Sequence, residues 1–465
     1  MKVLQEVQSI CSRCEKPVVA QYITDGHQVW IEKSCRDHGK TSTLVASSLA
    51  AYEEWVAHPT INIPPRKPLT QGVDEKTEGS QCPLHCGLCT NHKQTPCCVL
   101  LEITQRCNQH CPYCFAQSQD AGTFENLGEP SLEELDRKMD HLLSLGEERP
   151  FNLQFSGGEP TLRDDLEDML IMAKSKGFPY LQINTNGKRL ALEKGYAKRL
   201  KDAGASVIFL QFDGVDDQVY QALRHENLWE IKKMAIGACK EVGLPVTLVP
   251  TVVRGVNLHK INEMMEYMWE NLDVVAGIHF QPVSFFGRYP EDLWGESESH
   301  KVTLFDVMEE IERGSMNRIK KEQLVPMNTG HPLCGFHGTF LLEEGNKVVL
   351  LKDPIEATSA SGSCCCVKEN PLEIIEKDRG FVLNKWGGKG QSGKNGDGCC
   401  SGKEVPTFDN FLSDYRNRMF TLSGMAFQDM LSLDGERLKR CRVHVLVPDN
   451  RVIPFCAYNV MYREI

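Results

Sequence analysis

The chain has 465 residues and a formal net charge of −11. That length allows two or three domains, and the acidic balance argues against binding to a nucleic-acid backbone. Apolar runs are short and interrupted by charge, so no transmembrane segment is expected. The first residues, 1–6, lack the apolar core of a signal peptide. Twenty cysteines without an export signal point to metal ligation in a cytoplasmic protein.

A small metal-binding module is predicted first, over residues 1–58. A C-x2-C pair and a C-x2-H pair flank a predicted hairpin at 19–34. The four ligands are Cys11, Cys14, Cys35 and His38. Four soft ligands in two knuckles are typical of a closed tetrahedral site for one zinc or one iron ion. We expect a structural or electron-relay role for this site.

The next segment, 59–98, combines a proline-rich linker with a C-x3-C-x2-C run. The cysteines of this run are Cys82, Cys86 and Cys89, and Cys97 and Cys98 follow it. We interpret the run as the ligands of an auxiliary iron–sulfur cluster, with Cys98 or its neighbour Cys97 as the fourth ligand.

A second C-x3-C-x2-C run follows the apolar stretch 99–104 and consists of Cys107, Cys111 and Cys114. Three thiolates so placed hold three irons of a [4Fe–4S] cluster and leave the fourth iron open to a ligand that receives an electron. A zinc knuckle is the alternative, but zinc ligands usually arrive as two pairs. We assign the catalytic cluster to this second run because it directly follows a predicted strand and has Tyr113 before its last cysteine.

Predicted strands and helices alternate strictly from 99 to 290. The strands are 99–104, 151–155, 179–184, 206–212, 245–251 and 276–282. The helices are 131–145, 165–176, 191–203, 228–242 and 257–271. This alternation predicts parallel βαβ units and an α/β fold, an open (β/α)6 partial TIM barrel with its site at the carboxyl ends of the strands.

Polar motifs follow several of these strands. After the second strand, Gly157 and Gly158 let backbone approach a ligand closely, and Glu159 can accept hydrogen bonds from an ammonium group. After the third strand, Asn184 and Asn186 offer amides to hydroxyl or carboxylate groups. For two further candidates, site and scaffold roles both stay open; they are Asp213 and Thr251.

Together these motifs resemble the radical S-adenosylmethionine (radical SAM) superfamily, in which the cluster binds SAM and cleaves it reductively. The resemblance places Tyr113 near the adenine and matches 157–160 to the superfamily's GGEP motif. It implies a SAM-binding set of Tyr113, Gly157, Gly158, Glu159, Asn184, Asn186, Asp213 and Thr251.

Elements outside the barrel narrow the resemblance. The segments 331–335, 425–429 and 448–459, with the upstream cysteine run, resemble the archaeal tetraether lipid synthase family, earlier grouped with class D pterin methyltransferases. That family implies a rubredoxin-like N-terminal site and one or two auxiliary [4Fe–4S] clusters. It also implies a C-terminal auxiliary cluster domain, 291–465, with ligands Cys334, Cys441 and Cys456.

An insertion at 360–402 departs from that family. Vicinal cysteines at 364–366 and 399–400 bracket a glycine-rich stretch. Vicinal thiols suit a soft centre such as trivalent arsenic, or a redox pair; a disordered insertion with incidental cysteines is the other interpretation.

The leading functional hypothesis is a radical SAM enzyme that acts on an unactivated carbon and forms a carbon–carbon bond or methylates it. Its substrate would be a lipid chain or another apolar small molecule, and its electron donor a flavodoxin or ferredoxin. The alternative transfers the 3-amino-3-carboxypropyl group of SAM to a thiol-bound acceptor such as arsenite. A non-catalytic electron carrier would have no use for Glu159 and the other strand-end motifs.

Overall fold

The computed structural model describes residues 1–67, 82–84, 86–120, 129–145, 151–290, 300–351 and 417–463. The insertion at 360–402, with the cysteines at 364–366 and 399–400, lies outside the described residues.

The N-terminal module is a four-stranded antiparallel sheet followed by one helix. Its elements are β1 (Lys2–Ile10), β2 (Pro17–Thr24), β3 (Val29–Cys35), β4 (Gly39–Ala46) and α1 (Leu49–Val56). The predicted hairpin at 19–34 is the β2–β3 pair. Alternating residues such as Tyr22 and Ile31 are buried between the sheet and the rest of the protein.

The predicted alternation of strands and helices in the barrel is confirmed. The strands are β5 (Cys98–Thr104), β6 (Arg106–Cys107), β7 (Gln119–Asp120), β8 (Asn152–Gly157), β9 (Leu181–Thr185), β10 (Val207–Gln211), β11 (Val246–Val249), β12 (Thr251–Val252) and β13 (Val275–Pro282). The helices are α2 (Leu132–Ser144), α3 (Leu166–Ser175), α4 (Lys188–Leu192), α5 (Tyr196–Ala203), α6 (Asp217–Arg224), α7 (Trp229–Val242) and α8 (Ile261–Glu270). Six parallel strands lie in the order β5-β8-β9-β10-β11-β13. The α6 helix has no counterpart in the sequence-based prediction.

The C-terminal segment extends the same sheet. Its elements are α9 (Leu304–Gly314), β14 (Val325–Pro326), β15 (Gly335–Leu342), β16 (Val348–Leu350), β17 (Met419–Met425), α10 (Gly435–Lys439), β18 (Val443–Leu446), β19 (Val452–Pro454) and α11 (Phe455–Ala457). One parallel strand is added at each edge, since β17 pairs with β13 and β18 pairs with β5. β15 and β19 then pair antiparallel beyond them. The described strands after residue 300 therefore share the barrel sheet, and they cover edges that would otherwise expose unpaired backbone groups.

The alternation of side chains along the strands places polar side chains among the apolar ones that line the barrel interior. In β8, Leu153 and Phe155 pack outward into the main apolar core with α2 and α3. The residues that alternate with them line the interior cavity, as the two-residue period of a strand requires. They are Asn152, Gln154 and Ser156. Among the described helices, none has the length and apolar character to cross a membrane.

We predict opposite effects for two Gly→Ala substitutions. At Gly277 (φ +155°), a Cβ would lie 2.0 Å from the carbonyl oxygen of Thr421 on β17, so Gly277→Ala should lower the free energy of unfolding by about 2–3 kcal/mol. At Gly237, inside α7, a Cβ meets no atom within 4 Å, so Gly237→Ala should raise that free energy by about 0.5–1 kcal/mol. Urea unfolding monitored by circular dichroism measures both free energies. Equal effects of the two substitutions would refute the β13–β17 contact.

Candidate active site in the barrel

The cysteine loop lies at the carboxyl end of β5, where the sequence predicts it. A short strap from 286 to 289 holds it in place. The backbone N–H of Cys114 donates to the carbonyl of Arg288, and the N–H of Arg288 donates to the carbonyl of Cys114, each at 2.9 Å. The Nε of Arg288 donates to the carbonyl of Cys111, also at 2.9 Å. Cys107 and Cys111 are buried and Cys114 is half-buried.

The two glycines after β8 accommodate this loop. A Cβ on Gly157 would lie 2.1 Å from the carbonyl oxygen of Thr104, and one on Gly158 would lie 2.2 Å from that of Arg106. The N–H of Gly158 donates to the Thr104 carbonyl at 2.8 Å. The sequence predicts that these glycines admit a ligand, and both do line the cavity. Their close contact, however, is with the backbone that leads into Cys107.

Glu159 ties the second and third strands together. Its carboxylate is almost fully buried. One oxygen, Oε1, accepts from the hydroxyls of Thr161 at 2.5 Å and Thr185 at 2.7 Å. The other oxygen, Oε2, accepts the backbone N–H of Asn186 at 2.7 Å, which leaves Oε2 with acceptor capacity toward the cavity.

The two asparagines predicted after the third strand are also at the cavity. The Oδ1 of Asn184 accepts from Gln182 at 2.6 Å. The Nδ2 of Asn186 donates to Oδ1 of Asn108, inside the cysteine loop, at 2.7 Å. Asn186 therefore links the end of β9 to the cysteine loop.

A buried ion pair lies beneath the cysteines. Arg224 at the end of α6 forms a two-point contact with Asp213, with Nε–Oδ2 at 2.7 Å and Nη2–Oδ1 at 2.8 Å. The same guanidinium donates to the Thr251 hydroxyl at 2.9 Å and to the Tyr113 carbonyl at 3.0 Å. Burial opposes ionisation of Asp213, but Arg224 outweighs it and holds the pKa of that carboxyl below its usual value.

The sequence-based prediction missed Arg224 because it did not contain α6. Two of the predicted SAM contacts, Asp213 and Thr251, have their side chains engaged with this arginine. The third partner is the backbone of Tyr113, whose half-buried ring lines the cavity.

A cavity of about 360 Å³ runs through the barrel interior. At one end it meets the cysteine loop and the turn that contains Glu159. At the other end it meets Cys97 and Cys98, at the start of β5. Between these ends the wall carries amides and imidazoles: Gln154, Gln182, Gln211, Gln281, His279 and His337.

The donor chemistry of the cysteine loop fits an iron–sulfur cluster. Burial, followed by the nearby Glu159 carboxylate, raises the pKa of the Cys107 thiol to about 12. A bound iron replaces that proton and removes the cost of a buried thiolate. Among the described residues, the only set of three or more metal-binding groups within 4.8 Å of one another lies elsewhere, in the N-terminal module. The wider spacing at 107–114 suits ligands that bind separate irons.

The N-terminal ligands converge as predicted. The atoms Cys11 Sγ and His38 Nδ1 are 3.6 Å apart, Cys35 Sγ and His38 Nδ1 are 3.6 Å apart, and Cys14 Sγ and Cys35 Sγ are 3.9 Å apart. All four ligand atoms lie within 4.8 Å of one another. This is the compact arrangement that one tetrahedral metal ion requires.

Apart from Cys239, the other described cysteines are two triplets and the adjacent pair Cys97 and Cys98. Burial, followed by Cys82 and Cys89, raises the pKa of Cys86. Burial, followed by Cys441 and then Cys334, raises the pKa of Cys456. Burial, followed by Cys97 and then Cys441, raises the pKa of Cys98. The triplets are Cys82, Cys86 and Cys89, and Cys334, Cys441 and Cys456.

The two triplets and the 97–98 pair together number eight cysteines, which is the count that two complete cubanes need. The guanidinium of Arg437, which the sequence-based prediction missed, lies beside Cys334 and Cys456. It is buried and supplies positive charge next to thiolates. Cys239, by contrast, is buried in the apolar core on α7, as predicted.

Comparison with known families agrees with this architecture. A family model described as the radical SAM superfamily matches residues 101–268, and one described as the HMPTM N-terminal zinc ribbon domain matches residues 3–47. The fold and the cysteine loop thus define a radical SAM enzyme with an N-terminal zinc ribbon. Its cofactors are SAM and a [4Fe–4S] cluster, with auxiliary clusters and a mononuclear metal ion in the cysteine-rich parts.

A full-length relative identifies the family. The chain is 32% identical to the 7,8-dihydro-6-hydroxymethylpterin dimethyltransferase of Methanocaldococcus jannaschii over 98% of this chain and 93% of that protein. The chain therefore belongs to the family of this enzyme, a class D radical SAM methyltransferase.

Two other similarities are confined to part of the chain. A probable GTP 3′,8-cyclase of Methanothermobacter thermautotrophicus is 32% identical over 37% of this chain and 53% of that protein. The solved structure of SuiB from Streptococcus suis bound to its precursor peptide SuiA is 18% identical over 49% of this chain and 48% of that chain, with a TM-score of 0.39. The family assignment depends on the full-length relative.

We predict that Arg224→Met weakens both the fold and the cysteine loop. Removing one partner of a buried ion pair costs about 3–5 kcal/mol in the free energy of unfolding. Iron content per chain should fall as well, because Arg224 holds the Tyr113 carbonyl. Arg199→Met is the matched control; its pairs with Glu167 and Glu193 are partly exposed and should cost no more than about 1 kcal/mol. Equal losses in the two variants would contradict the role given to Arg224.

We predict that Cys14→Ser removes the N-terminal metal ion and leaves SAM cleavage intact. A closed four-ligand site contributes folding free energy, so the thermal midpoint of the zinc ribbon should fall. Elemental analysis by mass spectrometry should show a loss of about one ion per chain and will identify it as zinc or iron. Ser42→Ala, at an exposed position of β4, is the control. Full metal retention in Cys14→Ser would refute the ligand set.

Proposed function

We propose that this enzyme methylates a carbon atom of a small heterocyclic substrate of the pterin class. The observation that carries the proposal is the cavity that joins the cysteine loop to a wall of inward-facing amides. The full-length similarity to a pterin dimethyltransferase supports the reaction and the substrate class.

In this proposal, Cys107, Cys111 and Cys114 hold the cluster. With SAM on its open iron, such a cluster supplies the electron for reductive cleavage. The SAM contacts come from Tyr113, Gly157, Gly158, Glu159, Asn184 and Asn186, all of which line the cavity. Asp213 and Thr251 act through Arg224, whose hydrogen bond to the Tyr113 carbonyl positions that residue.

The size of the cavity favours a small substrate over a lipid chain. A volume of about 360 Å³ is near the lower end of the range for small-molecule sites, about 300–1,000 Å³. The lining mixes apolar side chains such as Phe286 and Phe427 with a few amides, which suits a ligand that has both apolar and polar surface. A flat heterocycle offers both ring faces for apolar contact and polar edges for the amides.

The net chemistry consumes one C–H bond of the substrate. The hydrogen leaves in 5′-deoxyadenosine, methionine is the other fragment of SAM, and one electron is used for this cleavage. The new carbon–carbon bond takes its methyl group from a donor at the methyl oxidation level, CH₃–X⁺, which releases X and requires one further electron. Both electrons come from a reductant of the flavodoxin or ferredoxin class, and the two auxiliary cysteine triplets lie within the same protein to relay them.

The two finer hypotheses from the sequence stay predictions. Carbon–carbon coupling of lipid chains requires an alkyl product. Aminocarboxypropyl transfer to arsenite requires 5′-methylthioadenosine as a product in place of 5′-deoxyadenosine. The vicinal cysteines on which that hypothesis is based are at 364–366 and 399–400, outside the described residues.

Mass spectrometry of the products of anaerobically reconstituted enzyme tests the proposal. With SAM, a reductant and 7,8-dihydro-6-hydroxymethylpterin, we expect 5′-deoxyadenosine and a pterin heavier by one or two methyl groups. Cys111→Ala should abolish both products, and Cys239→Ala, which changes a cysteine of the apolar core on α7, should retain them. If 5′-methylthioadenosine dominates and rises with arsenite, the methylation proposal fails.

A further inference from the structure

We infer that Asn152 and Tyr180 form the substrate-recognition end of the cavity and pair with the cyclic-amide edge of a heterocycle. This inference rests on the proposed function, because it names the part of the substrate that the same cavity selects. The two residues lie at the amino ends of β8 and β9, at the end of the cavity remote from the cysteine loop.

The two side chains are neighbours on the inner wall. The parallel register of β8 and β9 aligns Leu153 with Leu181, which places Asn152 beside Tyr180. The register of β5 and β8 places Cys98 opposite Asn152. All three residues line the cavity, so they form one row across its end.

Both side chains are buried. Asn152 and Tyr180 each retain 1% exposure. Among the described residues, neither Nδ2 nor Oδ1 of Asn152 has a hydrogen-bond partner, and neither does the hydroxyl of Tyr180. Leaving a buried polar group unpaired costs about 1–3 kcal/mol, so three such atoms on two residues that line one cavity indicate a ligand with matching groups.

The pattern of these atoms defines the ligand chemistry. The amide of Asn152 presents one acceptor and one NH₂ donor side by side, and the phenol adds a group that both donates and accepts. A ring N–H beside a ring carbonyl is the complement of a side-chain amide, in the way that asparagine pairs with two atoms of a base edge. The pterin ring has such an edge; an alkyl chain has none.

Equilibrium dialysis under anaerobic conditions tests the inference on the full-length, cluster-loaded protein with SAM. The probes are 7,8-dihydro-6-hydroxymethylpterin and guanine, which have the cyclic-amide edge, and unsubstituted pteridine, which lacks it. We expect Asn152→Leu to weaken pterin binding about tenfold or more and Tyr180→Phe to weaken it several-fold. The affinity for pteridine should not change in either variant.

The chain offers a matched control for the hydroxyl. Tyr196 on α5 is also buried with an unpartnered hydroxyl within the described part of the chain, but it packs in the helical core and does not line the cavity. Tyr196→Phe should therefore leave pterin binding unchanged. In ligand-free protein, none of the three variants should lower the unfolding midpoint, because each removes unpaired polar atoms.

Three results would overturn the inference. One is equal pterin affinity in wild type, Asn152→Leu and Tyr180→Phe. Another is failure of both cyclic-amide probes to bind wild-type protein. The last is a variant whose auxiliary cluster has an altered electron paramagnetic resonance spectrum while its pterin affinity is unchanged. That result would mean that Asn152 and Tyr180 interact with a cluster at the nearby Cys97 and Cys98. If the pterin binds as predicted but is not methylated, the recognition site stands and the proposed reaction fails.

Discussion

The contact between the turn after β8 and the start of the cysteine loop is the constraint on which the site depends. The N–H groups of Gly158 and Glu159 donate to the carbonyls of Thr104 and Arg106, each at 2.8 Å. Neither Gly157 nor Gly158 has room for a side chain. Glu159 then accepts the N–H of Asn186. The ends of β5, β8 and β9 are thus one hydrogen-bonded unit, and the cysteine loop takes its position from the sheet.

The same sheet connects the Cys107 loop with the cysteines at the opposite end of the cavity. Its inward-facing side chains lead from the Cys107 loop at the carboxyl ends to Cys97 and Cys98 at the start of β5. Strand β18, which pairs with β5, directly follows Cys441, so the auxiliary cysteines are tied to the barrel and not to a separate module. A substrate in the cavity would therefore lie between the Cys107 loop and the pair Cys97 and Cys98.

Local sequence features predicted the barrel well, but they did not predict the long-range pairing of strands. The six strands and the strand-end motifs were found because alternation and glycine-containing turns are local features. The helix predicted from 131 is confirmed, and a local capping box at Ser131 begins it. Strands β17 and β18 join edges formed far away along the chain, and nothing local marks such a partner. Arg224 was missed because its role depends on Asp213 and the Tyr113 carbonyl, which only the fold brings together.

A crystal structure of the anaerobically prepared enzyme with SAM and 7,8-dihydro-6-hydroxymethylpterin would test most directly whether the barrel cavity binds a pterin. We expect the pterin ring inside the barrel, with its ring N–H and carbonyl edge on Asn152 and Tyr180 and its reacting carbon toward the Cys107 loop. A pterin bound outside the barrel, or a cavity filled by an alkyl chain instead, would contradict this account.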